Sequence, residues 1–176
     1  MDEKTYAGTI GEVLEWLGRV MDDALNSLFS RDKRRLKETE RAFAAHLESN
    51  LSLALLPALR RVGMDAEDLL GGIRTTVEAE IPFTDKALSE ISEIMALVKD
   101  LARNANDALI TRHARFREYA LSSARDLLKR ADKYGLEHQR RLIVGICSPN
   151  SSFPYLDVMD SLRRLAADLA ALLKSA

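Results

Sequence analysis

Apolar residues recur every three to four positions along most of the chain, and polar residues fill the positions between them. From Thr9 to Phe29 this spacing places five residues on one helix face: Val13, Leu17, Val20, Ala24 and Leu28. The period matches the turn of an α-helix. A break at residues 30–32 precedes a second predicted helix, which starts at Asp32 and has this inner face: Leu36, Ala42, Phe43, His46 and Leu47.

The pattern predicts four further helices. A helix boundary is expected shortly before Pro57, because proline fits the first turn of a helix but disrupts its interior. The third helix runs from there to about Glu80. Thr84 is a suitable N-cap for the fourth helix, which ends near Ile110 and carries this stripe: Leu88, Ile91, Met95, Val98 and Leu101.

The last third of the chain predicts two helices and a loop. The fifth helix runs from a break at residues 111–113 to about Ile146. Residues 147–154, which begin at Cys147 and are rich in Ser and Pro, predict the clearest loop of the chain. The sixth helix follows with this apolar stripe: Leu156, Met159, Leu162, Leu165, Leu169 and Leu172.

Two segments of the chain are similar to each other. Leu59-Arg-Arg-Val-Gly-Met-Asp65 in the third helix matches Leu162-Arg-Arg-Leu-Ala-Ala-Asp168 in the sixth, at an offset of 103 residues. The ends of the first and fourth helices, Leu28-Phe-Ser-Arg31 and Leu109-Ile-Thr-Arg112, also correspond. We therefore predict an all-α, six-helix bundle built from two tandem three-helix repeats, about 8–81 and 82–176, within one domain, 1–176.

Composition restricts the environment and the partners. The 176 residues carry a net charge of −1, so no overall field favours nucleic acid or an anionic membrane. A single cysteine, Cys147, excludes a disulfide within the chain. No signal peptide and no apolar stretch of membrane-spanning length is visible. We expect a cytoplasmic protein that binds no nucleic acid and does not insert directly into a membrane.

The usual catalytic motifs are missing from the sequence. Ferritin-like di-iron sites need a Glu three residues before a His, and His46, His113 and His138 all lack one. Cys147 has no histidine at a spacing typical of an activated nucleophile. The pair Gly71-Gly72 lies inside a helical pattern and does not form a phosphate-binding loop. We expect a non-enzymatic protein without a cofactor.

Three segments resemble PhoU-like domains, particularly the soluble ones fused to sodium/phosphate cotransporters. They are Ile81-Pro-Phe-Thr-Asp-Lys-Ala-Leu-Ser-Glu-Ile91 followed by Met95, Glu137-His-Gln-Arg-Arg-Leu142 followed by Gly145, and Ser152-Phe-Pro-Tyr-Leu-Asp157. The resemblance implies a regulatory or accessory module of phosphate transport that acts by protein contact. It implies a phosphate transporter or its sensor kinase as partner, and a place at the inner face of the membrane through that transporter. The resemblance also implies homodimerisation or docking through a helical face. A purely structural, dimerising cytoplasmic domain of a sodium/phosphate cotransporter is the alternative left open.

The metal motif of the PhoU-like family is altered in this chain. In the family, Glu-Arg-Ile-Gly-Asp in helices three and six supplies carboxylates to iron or zinc clusters. Here Arg60 and Arg163 replace the Glu, while Met64 and Ala167 replace the Asp. Cationic and apolar side chains are poor ligands for such metals, so we expect no metal and disfavour a metal-dependent enzyme or store. A bound anion or a partner remains possible for these residues: Arg60, Arg61, Arg163, Arg164 and His138. The alternative for the arginines is ion pairing with nearby carboxylates: Asp65, Glu67, Asp68 and Asp168.

Overall fold

Helices make up most of the chain. The computed structural model describes residues 3–51 and 57–175. They form α1 (Glu3–Ser30), α2 (Lys33–Leu51), α3 (Pro57–Glu78), α4 (Asp85–Thr111), α5 (Ala114–Ile143) and α6 (Pro149–Ser175). Within these residues there is no β-strand. The predicted all-α, six-helix architecture is confirmed, whereas residues 52–56, inside the stretch with no clear sequence prediction, lie outside the described chain.

The helices contact one another in the same pattern in both halves of the chain. In the first half α1 packs against α2 and α3, and α2 packs against α3; in the second half α4, α5 and α6 do the same. The halves meet through α3 with α6 and through α1 with α4. None of the described helices has a stretch long and apolar enough to cross a bilayer.

The apolar stripes predicted from the sequence form the core. The five stripe residues of α1 named above are all buried. Of the five on α4, four are buried and Leu88 is half-buried. On α2 the prediction was wrong at Ala42, which is exposed. The buried positions of α2 are instead Leu36, Thr39, Phe43 and Leu47, spaced by three and four residues. Ala42 precedes Phe43 by one residue and so lies about 100° around the helix from it.

Helix ends follow from local chemistry. Thr84 caps α4 as predicted, since its side-chain oxygen accepts a hydrogen bond from the Ala87 backbone N–H. Helix α4 ends with Arg112 in the left-handed region, at φ 52°. Helix α5 ends at Ile143, three residues before the predicted Ile146, because Gly145 takes a positive φ of 75° just beyond it.

The predicted loop at residues 147–154 was wrong, because α6 already begins at Pro149. Proline suits the first helical position, where its missing N–H has no partner to lose. The Ser148 hydroxyl oxygen accepts a hydrogen bond from the Asn150 N–H at 3.3 Å, which caps the helix. Pro154 lies in the second turn, where it removes one hydrogen bond without ending the helix.

Candidate functional site

The two similar Leu-Arg-Arg segments, residues 59–65 of α3 and 162–168 of α6, face each other. At the altered positions, Arg60, Met64 and Ala167 are exposed and Arg163 is half-buried. The Arg163 side chain lies 2.8 Å from Asp132 and 3.1 Å from Asp160. Arg60 forms no ion pair with any residue in the described part of the chain. The altered positions therefore present cationic and apolar side chains.

Reciprocal ion pairs join α3 and α6 at the neighbouring positions. Arg61 of α3 donates to Asp168 of α6 at 2.8 Å, and Arg164 of α6 donates to Asp65 of α3 at 2.9 Å. From one pair to the other the residue number rises along α3 and falls along α6, so the two helices are antiparallel. Arg164 also contacts Asp160 and Asp68. Three of the four candidate arginines thus already bind carboxylates of this chain.

Burial and the Arg164 guanidinium act on the pKa of Asp65 in opposite directions. Burial raises the pKa of Asp65 above its ordinary value, and the nearby Asp168 carboxylate adds to this effect. The guanidinium of Arg164 acts in the opposite direction and only partly compensates. Two aspartates close together would repel each other if Arg61 and Arg164 did not neutralise them. The arrangement holds two helices together at a polar contact.

A second polar cluster is buried between α4, α5 and α6, and Glu90 is at its centre. Only 1% of Glu90 is exposed. Arg141 donates two hydrogen bonds to its carboxylate, at 2.9 Å and 2.6 Å, and the Tyr155 hydroxyl donates a third at 2.7 Å. Lys86 lies 3.4 Å from the same carboxylate. A buried carboxylate needs such partners, because isolated charge is strongly disfavoured away from water.

His138 extends this cluster towards the start of α6. Its ring stacks on Tyr155 with 4.0 Å between the centroids. Arg141 lies 3.3 Å from Nδ1, and Ser152 Oγ lies 3.0 Å from Nε2. Because arginine can only donate, Nδ1 accepts and Nε2 carries the proton. Ser152 in turn donates to the Ser148 carbonyl oxygen. His138 is therefore buried and lies apart from the arginines of α3.

The electrostatics of the cluster favour ionised Glu90 and neutral His138. Burial alone would raise the pKa of Glu90, but hydrogen bonds from Arg141 and Tyr155 outweigh it and hold the pKa below its ordinary value. Burial and the hydrogen bond to Glu90 raise the pKa of Tyr155. Burial lowers the pKa of His138, and the adjacent Arg141 charge lowers it further. The cluster holds fixed charges and shows no arrangement typical of acid–base catalysis.

Sequence reasoning had not identified Glu90 as the centre of a cluster. The signal was available, since Glu90 lies on the apolar face of α4 between Ala87 and Ile94, where a polar residue needs a buried partner. Its partners Arg141 and Tyr155 are 51 and 65 residues away along the chain. The helical period cannot identify partners at that distance.

No protein-family model matches this chain, and no curated protein or solved structure has significant similarity to it. Across residues 3–51 and 57–175 no group of three or more His, Cys, Asp or Glu side chains could hold a metal ion. The candidate site therefore has to be judged from the geometry of these two clusters.

Acidification should destabilise the protein through His138. In the unfolded chain this histidine takes up a proton as the pH falls below about 6.5, whereas the folded environment resists charging. The free energy of unfolding should therefore fall as the pH decreases from about 7.5 to 5.5, before most carboxylates titrate. Thermal unfolding across this range would measure the slope.

The variant His138→Gln should show a smaller slope than the parent chain. His46→Gln is the comparison variant: burial also lowers the pKa of His46, but its side chain is only half-buried against Trp16, so this variant should reduce the slope less than His138→Gln does. An unchanged slope in His138→Gln would show that this histidine is not the titrating group.

Elemental analysis of the purified chain should find no stoichiometric iron or zinc. Arg60 and Arg163 would place positive charge beside any cation bound on these segments of α3 and α6. Asp65 and Asp168, on the same segments, are bound to Arg164 and Arg61. Stoichiometric metal that disappears in Asp65→Ala or Asp168→Ala would contradict this prediction.

Proposed function

We propose that this chain is a non-enzymatic, PhoU-like regulatory or accessory module of phosphate transport that acts by protein–protein contact. Its partner would be a phosphate transporter or the sensor kinase that reports on it. The proposal rests on the resemblance of three sequence segments, together with the way in which their polar residues come together in the fold.

One observation supports this reading most strongly. Glu90 comes from the first resembling segment, His138 and Arg141 from the second, and Ser152 and Tyr155 from the third. All five belong to one connected, largely buried cluster. Chance similarity in three separate segments gives no reason for their polar residues to share hydrogen bonds. Segments retained from one ancestral fold would be expected to do so.

We also propose that the six helices form two similar three-helix repeats. The two halves share one pattern of helix contacts. The reciprocal pairs Arg61–Asp168 and Arg164–Asp65 join positions related by the offset of 103 residues. Such swapped pairs are expected where two copies of a motif face each other across a two-fold axis. An experimental structure in which residues 8–81 do not superpose on 82–176 would contradict the repeat.

The function can be tested in the source cell by deleting the gene and measuring phosphate uptake at high and low external phosphate. We expect the deletion to alter uptake or its response to phosphate, and a plasmid copy to restore it. Cross-linking of the tagged chain should recover a phosphate transporter component or a sensor kinase. Normal uptake without such a cross-linked partner would refute the proposal. Altered transporter assembly with normal regulation would instead favour a purely structural domain.

A surface variant can separate regulation from folding. Arg60 is exposed on α3, so Arg60→Glu should leave the helical content and melting temperature unchanged. If the α3–α6 surface contacts the partner, this variant should reduce cross-linking. Arg125→Glu is the matched control, because Arg125 is also exposed but lies in the middle of α5, away from the α3–α6 surface. Equal effects of the two substitutions would exclude a specific role for the α3–α6 surface.

A further inference from the structure

Three helix connections lie at the same end of the bundle. Lys33 at the start of α2 pairs with Glu80, just beyond α3. Arg141 near the end of α5 pairs with Glu90 near the start of α4. Gly72 of α3 lies against Asp157 in the first half of α6. The α1–α2, α3–α4 and α5–α6 connections therefore share one face, which we call the connection end.

Large apolar side chains are exposed at this end. Ile143, Val144 and Ile146 in the α5–α6 connection and Phe153 in the second turn of α6 are between 68% and 83% exposed. We call these four residues the apolar tip. They are the most exposed large apolar side chains in the described chain. Ile143, Val144 and Ile146 are close neighbours along the chain, and contiguous exposed apolar side chains commonly mark an interaction surface.

The tip is held in place by backbone hydrogen bonds. The Ile146 N–H donates to the Arg141 carbonyl at 2.8 Å, and the Gly145 N–H donates to the Leu142 carbonyl at 3.0 Å. With Gly145 at a φ of 75°, these bonds form a Schellman motif at the end of α5. The residue after the glycine often folds back onto its helix in this motif, but Ile146 points into solvent. Binding would therefore cost little ordering of the backbone.

The charge around the tip is basic. Residues 138–156 contain no Asp or Glu, although the whole chain contains 27 acidic residues. Elsewhere in the three connections most basic residues are neutralised by carboxylates: Arg34 pairs with Glu38, Arg35 with Asp23 and Arg141 with Glu90. Arg140 is exposed beside the tip and forms no ion pair with any residue that the structure describes.

We propose that the connection end docks on the surface of an anionic lipid bilayer. The apolar tip would enter the boundary between headgroups and acyl chains, while Arg140 would contact lipid phosphates. Exposed Ile, Val and Phe side chains beside the exposed Arg140, in a segment without acidic residues, suit the headgroup boundary of an anionic bilayer. Side chains at the bilayer surface do not span it, but the proposal departs from the expectation, drawn from net charge, that the chain avoids membranes.

Flotation of the purified chain with lipid vesicles tests this proposal directly. We expect binding to vesicles that contain phosphatidylglycerol, weakened by added salt, and much weaker binding to vesicles of phosphatidylcholine alone. Ile146→Ser and Phe153→Ser should each reduce the affinity roughly tenfold, because each removes one large side chain from the apolar contact. Arg140→Glu should reduce binding to the anionic vesicles only.

Phe116→Ser is the matched control. Phe116 is 51% exposed near the start of α5, and lies about 40 Å along that helix from Ile143. It should bind vesicles like the parent chain. Circular dichroism would check that each variant keeps its helices, and Val144→Ser replaces any tip variant that does not. Absent binding to anionic vesicles, or equal losses in Phe116→Ser, would overturn the proposal.

The two proposals fail separately. The vesicles contain no protein, so lost vesicle binding leaves a role in phosphate transport untouched, and normal phosphate uptake after gene deletion leaves lipid docking untouched. If the tip variants bind vesicles like the parent chain but lose cross-linking to a transporter, the tip is a protein contact and the lipid proposal is wrong.

Discussion

Replacing Glu90 with alanine is expected to lower the free energy of unfolding by about 3–5 kcal/mol, the range for breaking a buried ion pair from one side. The change leaves the Arg141 guanidinium largely buried without its carboxylate and leaves the Tyr155 hydroxyl without an acceptor. An uncompensated buried charge is more harmful than the loss of the attraction itself. Urea unfolding followed by circular dichroism would measure the difference.

Glu93→Ala is the matched control for this prediction. Glu93 lies one turn further along α4 and pairs with Arg130 and Tyr134, but all three are partly exposed. Water can replace the lost partner there, so the expected cost is below about 1 kcal/mol. If Glu90→Ala costs no more than Glu93→Ala, the cluster does not stabilise the fold.

A combined variant separates loss of charge from loss of packing. Glu90→Met together with Arg141→Met removes both charges and keeps most of the volume. Replacing a whole buried ion pair with apolar residues is often neutral or stabilising. We therefore expect the double variant to recover much of the stability that Glu90→Ala loses. A double variant as unstable as Glu90→Ala would show that unpaired charge does not account for the effect, and would assign it to lost packing and to the Tyr155 hydroxyl and His138 Nδ1, which lose their partners in the double variant.

Hydrogen exchange should show where Glu90→Ala acts. The fully buried apolar residues of α5 are mostly small: Ala120, Ala124, Leu127 and Ala131. With little apolar area to bury, this helix depends on the bonds made by Arg141 and His138. Its amides should therefore exchange faster in the variant than those of α1.

Helix positions could be predicted from the sequence because their cause is local. The apolar period and the Thr84 cap both depend on residues within a few positions. The start of α6 was missed for a related reason. A run such as Ser148-Pro-Asn-Ser-Ser152 has the composition of a loop and also that of a capped helix start. Only the hydrogen bonds at Ser148 distinguish the two.

The contacts between helices could be predicted only in part. Corresponding Leu-Arg-Arg segments indicated that α3 and α6 are equivalent, but did not indicate that Arg61 would bind Asp168 and Arg164 would bind Asp65. Those partners depend on the antiparallel packing of helices far apart in the chain. The exposure of the apolar tip could not be predicted either. Ile143 and Ile146 continue the apolar pattern of α5, which predicts burial, and only the position of the helix end shows that they are exposed.

Replacing Phe43 with alanine is expected to cost about 3–5 kcal/mol, because it removes a fully buried aromatic ring and leaves a cavity. Helix α2 contacts only α1 and α3 among the described helices. Its large, fully buried side chains are Leu36, Phe43 and Leu47. Phe43 is the largest of the three, so its loss should weaken the packing of α2 on the bundle more than it weakens the packing of any other helix.

Two measurements check this prediction. Urea unfolding gives the total cost, and hydrogen exchange should show α2 amides losing protection while α4 amides keep theirs. Phe29→Ala is the matched control: it removes the same side chain from the end of α1, where the ring is exposed, and should change stability by no more than about 0.5 kcal/mol. Similar costs for the two variants, or uniform loss of protection, would mean that Phe43 does not hold α2 on the bundle.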